Sequence, residues 1–461
     1  MIRLPKVRSS DYCSIADKIS NLRYCEEIVQ YYEDFIEQYK LLDNKYSFSE
    51  SVDFDFIFEQ LEENLKIRDR ELFGIPFGIK DVFNTKVLPT SMGSQIWEGF
   101  KAGNNARIVD EIVDRGGIVF SKTTTAEFAV HFIQNNKTIN PHNASRITGT
   151  SSAGSAVAVA CGALPICLGT QTAGSIIRPA SFCGVFGFKP SFGAFDRTGC
   201  LKTADTLDTI GFLGSDISGL QSAFLSTFQQ DLSYPLAQNF FLEQRKKSEK
   251  GLLKIGVISD QFKGYQDFDS HVKNDFSKAV DLLQTKGSDV SLMKNVEFIN
   301  DIHEMHYAIY CKSLSYYFQQ EVKQGAAISK IMSEMISLGD QIPIEQYISA
   351  IKQQPEYRHQ FDDVFRDYDF IVTPSTASVA PLIETQDEQT GRSVEKDDTC
   401  LIWTFLGYPT LSIPAFWSEK HQMPFGLQII APKYCDLPLL EFGEHIMKCL
   451  SDDVYDEYGT I

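Results

Sequence analysis

The stretch GTSSAGSAVAVACGALPICLGTQTAGSIIRP, from Gly149 to Pro179, sets two clusters of small hydroxyl-bearing residues on either side of a short apolar segment. Ser155 to Cys161 is rich in alanine and valine and uncharged, which predicts a helix buried on most sides. Gly162 ends it, Ile166 to Thr170 reads as a short strand, and a second small-residue loop leads to Ser175 and a helical turn at Pro179 and Ala180. VFGFKP follows as another strand. Upstream, GIPFGIKDVF is strand-like, entered through Gly74 and Pro76, and NNARIVDEIVDRGGIVFSKTTTAEFA reads as helix, stop, strand and a loop opening a helix. This β/α alternation implies a buried, mainly parallel sheet.

The rest of the chain extends that core. Residues 1–70 are helical and amphipathic, 71–215 hold the core just described, 216–366 form a more polar, mainly helical stretch expected to cap the site, and 367–461 return to the core through YDFIVTPS, YPTLSIPAF and the closing helix LLEFGEHIMKCL. The aromatic run MHYAIYCKSLSYYF in the cap reads as a core face rather than a pocket lining. No repeat or low-complexity linker divides the 461 residues, so one large domain is expected.

The formal net charge of −18 repels phosphate backbones and anionic lipid, which argues against nucleic acid or membrane as the main partner. The ten cysteines show no CxxC pair and no zinc spacing with histidine, so neither metal nor cofactor is expected, and free thiols fit a reducing compartment. The N-terminus lacks an apolar signal core, and the run Ala156–Leu168 is too short to span a bilayer, so a cytoplasmic protein is expected.

Three chemistries compete for the serines. Gly149 to Ser155 has P-loop glycine spacing, but no lysine follows Gly154, so a nucleotide-binding module is disfavoured. A Ser-His-Asp hydrolase needs G-x-S-x-G, which fails at Ala153, and His131 and His142 sit in no convincing loop. The third uses a lysine as base, which requires an amine made neutral by burial. Lys80, in Phe77–Phe83, is the candidate; its rival reading is an ion pair with Asp81 at a strand end.

These residues resemble the amidase signature family. The resemblance runs in order from about residue 20 to the C-terminus. It is carried by Gly74-Ile75-Pro76 through Lys80-Asp81, Ser121-Lys122-Thr123, Gly149 to Ser155, Gly169 to Ala180, Gly187-Phe188-Lys189-Pro190, Leu207 to Gly211, Gly407-Tyr408-Pro409 and Pro424 to Gln428. It implies an α/β fold, a single large domain with a central mixed, mainly parallel β-sheet covered by helices on both faces.

It also implies a Ser-cisSer-Lys triad of nucleophile Ser175, bridging Ser151 after a cis peptide, and base Lys80. Oxyanion donors would come from Thr172, Ala173, Gly174 and Ser175, and Ala129 with residues 300–345 would shape the pocket. The implied activity is hydrolysis of a small-molecule amide; a homodimer is compatible with this reading. The alternative is the glutamine-hydrolysing component of a tRNA-dependent amidotransferase. Gln171, Ala173 and Thr404 depart from the family's usual Asp, Gly and Asn, which detaches the substrate from the better-known branches without touching the triad. Arg178 has two readings, a contact for an acidic substrate group and structural pairing under the loop, and the second is favoured.

Overall fold

The computed structural model describes residues 12–22, 24–130, 137–228, 252–262, 264–294, 296–323, 327–385 and 399–452. His131, one of the histidines weighed above, lies outside them. At the N-terminus, helices α1 (Tyr12–Asn21), α2 (Cys25–Tyr46) and α3 (Phe54–Asn64) surround strand β1 (Ser49–Val52). Asp53 caps α3 by accepting from the Phe56 amide. The core then alternates β2 (Pro76–Lys80), α4 (Arg107–Asp114), β3 (Ile118–Thr123), α5 (Ala153–Ala160), β4 (Ile166–Gln171), α6 (Ile177–Cys183), β5 (Phe186–Lys189), β6 (Thr209–Gly214) and α7 (Ile217–Thr227).

Residues 254–292 supply β7 (Lys254–Val257), α8 (Ser270–Thr285) and β8 (Asp289–Leu292). Three long helices follow, α9 (Ile302–Lys323), α10 (Lys330–Gln341) and α11 (Ile344–Val364). The chain closes with β9 (Phe370–Pro374), α12 (Thr399–Leu406), β10 (Thr410–Ser418), β11 (Met423–Ile430) and α13 (Asp436–Asp452).

The eleven strands among the described residues join one mixed sheet in the order β1-β3-β2-β4-β6-β5-β10-β11-β9-β7-β8. Parallel pairing is confined to two blocks, β3-β2-β4 and β9-β7-β8, and every other neighbouring pair is antiparallel. The central strands are buried along their whole length, as their unbroken apolar runs require of a sheet covered on both faces. The uncharged helix α5 is buried at every residue but its last, Ala160. Part of the 216–366 stretch belongs to the sheet, because β7 and β8 form its far edge. Helices α9 to α11 instead build a second apolar cluster with α12, into which Tyr310, Leu314 and Phe318 of the aromatic run are packed. No helix among the described residues is long and apolar enough to cross a membrane.

One ion pair is sealed inside this core. Lys122 Nζ lies 2.7 Å from Asp81 Oδ1, and neither side chain is exposed. Lys122 also donates to Thr90 Oγ1 and Pro89 O, and Asp81 accepts from the Ser91 amide. Removing one partner leaves a buried charge uncompensated. Lys122→Met is therefore expected to lower unfolding free energy by about 3–5 kcal/mol in urea titration; unchanged stability would show that Asp81 does not depend on it.

Candidate active site

Parallel pairing places the C-terminal ends of β2 and β4 side by side, with Ile79 opposite Leu168. The next residues bring Lys80 to Thr170. Lys80 Nζ lies 2.7 Å from Ser151 Oγ, 2.8 Å from Thr170 Oγ1 and 3.5 Å from Thr170 O, with no exposure to solvent. Burial pushes the amine down to about 7 from its usual 10.5, against weaker opposition from Cys200 and Asp208. A neutral amine has two hydrogens and one lone pair. The hydrogens can go to the two Thr170 oxygens, which leaves the lone pair for the Ser151 hydroxyl. The rival pairing of Lys80 with Asp81 is not formed, because Asp81 is taken by Lys122.

Ser151 follows a cis peptide bond from Thr150, as expected. The turn is held from several sides. Arg178, 2% exposed, places Nη1 3.4 Å from Thr150 O, the structural placement read from the sequence. Ser151 O accepts from the Ala126 amide. Ser155 Oγ meets Thr123 Oγ1 and Leu168 O, tying α5 to β3 and β4. At Gly154 a Cβ would come within 2.4 Å of the Thr124 amide nitrogen, so only glycine lets this turn lie against β3.

Ser175 stands in the loop between β4 and α6, 4% exposed. Among the described residues no hydrogen bond joins its hydroxyl to Ser151, so the first leg of the expected relay is closed and the second is open. Gln171 organises the loop. Its Oε1 accepts from the amides of Ile176 (2.8 Å) and Ile177 (3.0 Å), and its Nε2 donates to Thr404 Oγ1 (2.9 Å). Thr404 in turn donates to Ala173 O at 2.7 Å. His306, on α9, sets Nε2 2.9 Å from Thr172 O. Thr172 Oγ1 donates to Asp208, which also accepts from the Thr203 hydroxyl and the amides of Thr203 and Ala204. Among the described residues, the amides of Ala173, Gly174 and Ser175 have no acceptor, although all three residues are buried. Successive N–H groups in a turn are the raw material of an anion-binding nest.

Beside the loop is a small pocket, with room for about one water, lined by Ala129, Thr170, Thr172, Arg197, Cys200 and Asp208 among others. The Arg197 guanidinium lies 3.5 Å from both Asp205 and Asp208. Ala129 and its neighbour Phe128 adopt left-handed backbone (φ 57° and 49°), and the Phe128 amide donates to Met92 O, itself at φ 55°. Three non-glycine residues in that region at one place is the kind of strain that gathers at functional sites. The Phe128 ring packs on Phe318 of α9, 4.6 Å between centroids.

Elsewhere, Asp269, His271 and His421 bring potential metal-ligand atoms within 4.8 Å of one another. The Arg146 guanidinium lies 3.3 Å from His421 Nδ1 and opposes a cation there. His142 Nε2 lies 2.9 Å from Cys183 O.

The sequence singled out Lys80, Ser151 and Ser175, of which the structure joins Lys80 to Ser151; it gave no sign of Thr170 as the amine's second partner or of His306 as a contact of the loop. A threonine next to a strand end and one histidine in an aromatic run carry no local signal of those contacts. Gln171 and Thr404 were visible only as two unrelated departures.

Comparison with known proteins agrees with this architecture. The family model described as Amidase matches residues 27–440. The A component of a glutamyl-tRNA(Gln) amidotransferase from Halothermothrix orenii is 29% identical over 426 residues, 84% of this chain and 86% of that protein. Among solved structures, one described as an amidase superposes with a TM-score of 0.82 at 23% identity, covering 95% of this chain and 99% of its own. Another, from work on a vestigial protein complex and the origins of an s-triazine catabolic enzyme, reaches 0.83 at 23% identity over 98% and 100%. These structural likenesses show the fold, and the family model spans nearly the whole core: the chain belongs to the amidase family of carbon–nitrogen hydrolases.

Proposed function

We propose that the protein hydrolyses a small carboxamide through an acyl-serine formed on Ser175, with Ser151 and Lys80 as its proton relay. The observation that carries this reading is the solvent-free amine of Lys80 lying 2.7 Å from Ser151 Oγ, beside a loop whose three successive amides at Ala173, Gly174 and Ser175 have no acceptor among the described residues. In the reading, Lys80 takes the Ser151 proton as Ser151 takes that of Ser175. Ser175 Oγ bonds to the amide carbon, and the negative charge on the carbonyl oxygen falls on the free amides. The relay returns the proton to the leaving nitrogen as the C–N bond breaks. Water then adds to the acyl carbon by the same route and releases the acid, regenerating Ser175. The open Ser151–Ser175 leg closes with substrate bound, as catalytic hydrogen bonds often tighten only in the complex.

A second reading rests on the relatives' name: glutamine would be the amide, and its ammonia would pass to a partner protein. Hydrolysis of glutamine together with copurification of a second protein favours this reading. Turnover of small amides by the isolated chain favours the first.

A fluorophosphonate probe tests the shared chemistry. The adduct is expected on Ser175 by mass spectrometry and absent in Ser175→Ala. Lys80→Ala should slow labelling about 10²-fold or more, the usual scale of general-base catalysis. A full-rate adduct on another residue removes the proposal.

The pH dependence follows from the lowered amine. Below about 7 Lys80 carries a proton and cannot accept another, and above it the lone pair is free. The labelling rate should therefore climb as pH rises through neutrality and then level off. A flat profile from about pH 5 to about pH 9 would contradict a lysine base.

A further inference from the structure

Two side chains hold the nucleophile loop from outside, and neither can touch a substrate carbonyl lying on its amides. Thr404, on α12, donates to Ala173 O, and His306, on α9, lies against Thr172 O. A carbonyl oxygen only accepts, so His306 Nε2 carries the hydrogen. Both side chains are buried.

Each of these carbonyls belongs to a peptide whose other end is an amide of the nest. Thr172 C=O shares its plane with Ala173 N–H, and Ala173 C=O shares its plane with Gly174 N–H. The one cis bond among the described residues lies elsewhere, at Thr150–Ser151. In a trans peptide the carbonyl and the N–H point in opposite directions. Fixing each carbonyl from the helix side therefore fixes the N–H that points the other way. Without these partners, rotation of a peptide plane would aim the donor elsewhere.

Gln171 completes the device. Its acceptor end takes two amides at the start of α6, and its donor end supplies the Thr404 hydroxyl. Thr404 has one hydrogen to give. With Gln171 occupying its lone pair, that hydrogen goes to Ala173 O at 2.7 Å, with Cys400 O more distant at 3.3 Å. A carboxylate at 171 has no hydrogen to donate and would compete for that of Thr404. The amide and the hydroxyl therefore work as a matched pair.

We propose that Thr404, oriented by Gln171, and His306 are positioning residues that aim the Gly174 and Ala173 amides at the oxyanion. The proposal rests on the reading of Ser175 as nucleophile. It also gives the α9 helix a part in rate, because His306 joins the cap to the loop.

The test is the second-order rate of fluorophosphonate labelling at Ser175, measured across pH on folded full-length protein. Thr404→Val and His306→Leu are each expected to slow labelling by about 10- to 100-fold, somewhat less than outright loss of one oxyanion donor. Thr404→Ser and His306→Gln keep a donor and should restore the rate to within about threefold. The pH midpoint should stay where Lys80 sets it. Wild-type rates in Thr404→Val and His306→Leu, no rescue by the conservative variants, or a loss that appears as a shifted midpoint would each overturn the proposal. The two sites are read independently, so a variant that fails to fold leaves the other pair to decide. Absence of a Ser175 adduct in the wild-type protein is a different outcome: it removes the nucleophile reading and this proposal with it.

Discussion

An amine with no access to water is the constraint around which the rest of the site is arranged. Because the fold gives it no solvent, Lys80 is lowered to about 7, so its uncharged form is well populated from neutral pH upward. That neutrality leaves its nitrogen a lone pair for Ser151. Everything next to it respects this economy. Thr170 offers oxygen atoms instead of a carboxylate, and the carboxylate adjacent in sequence, Asp81, is neutralised by Lys122 instead. An Asp81–Lys80 pair would have held the proton on the amine.

The sheet explains how one short stretch of chain supplies so much of the site. Two parallel strands, β2 and β4, end together, and the loops leaving β3 and β4 turn toward the same edge. Small residues let those turns stack without side chains between them, as the contact of Gly154 with Thr124 and Phe48 makes plain. The cap is joined to this edge through Phe318 on Phe128 and His306 on Thr172, and α12 adds Thr404 on Ala173.

Much of this was legible in the sequence because it is local. The uncharged run Ser155 to Cys161 reads as an interior helix, the apolar stretches around Gly78 and Leu168 read as interior strands, and the cis turn at Ser151 follows from the family resemblance. What was illegible depends on residues far apart in the chain. The parallel blocks were read from β/α alternation, but the antiparallel returns of β6, β10 and β11 depend on which edges remain open once the first strands have paired. Gln171 and Thr404 looked like separate departures from a pattern; across 233 positions they form one hydrogen bond. The aromatic run was rightly read as a core face, yet a single turn of it, at His306, reaches the loop between β4 and α6, and periodicity cannot distinguish that residue from its neighbours.

The buried amines also tie this fold to proton exchange with its surroundings. Lys189, pinned on Tyr408 O and Pro190 O, is held down to about 7 by burial just as Lys80 is. Between about 7 and the ordinary lysine value of 10.5, each amine is bare in the folded chain and protonated in the unfolded one. Denaturation in mildly alkaline solution is therefore a proton-consuming event. With the unfolded chain binding more protons, these two groups make the native state more secure as pH rises across that window.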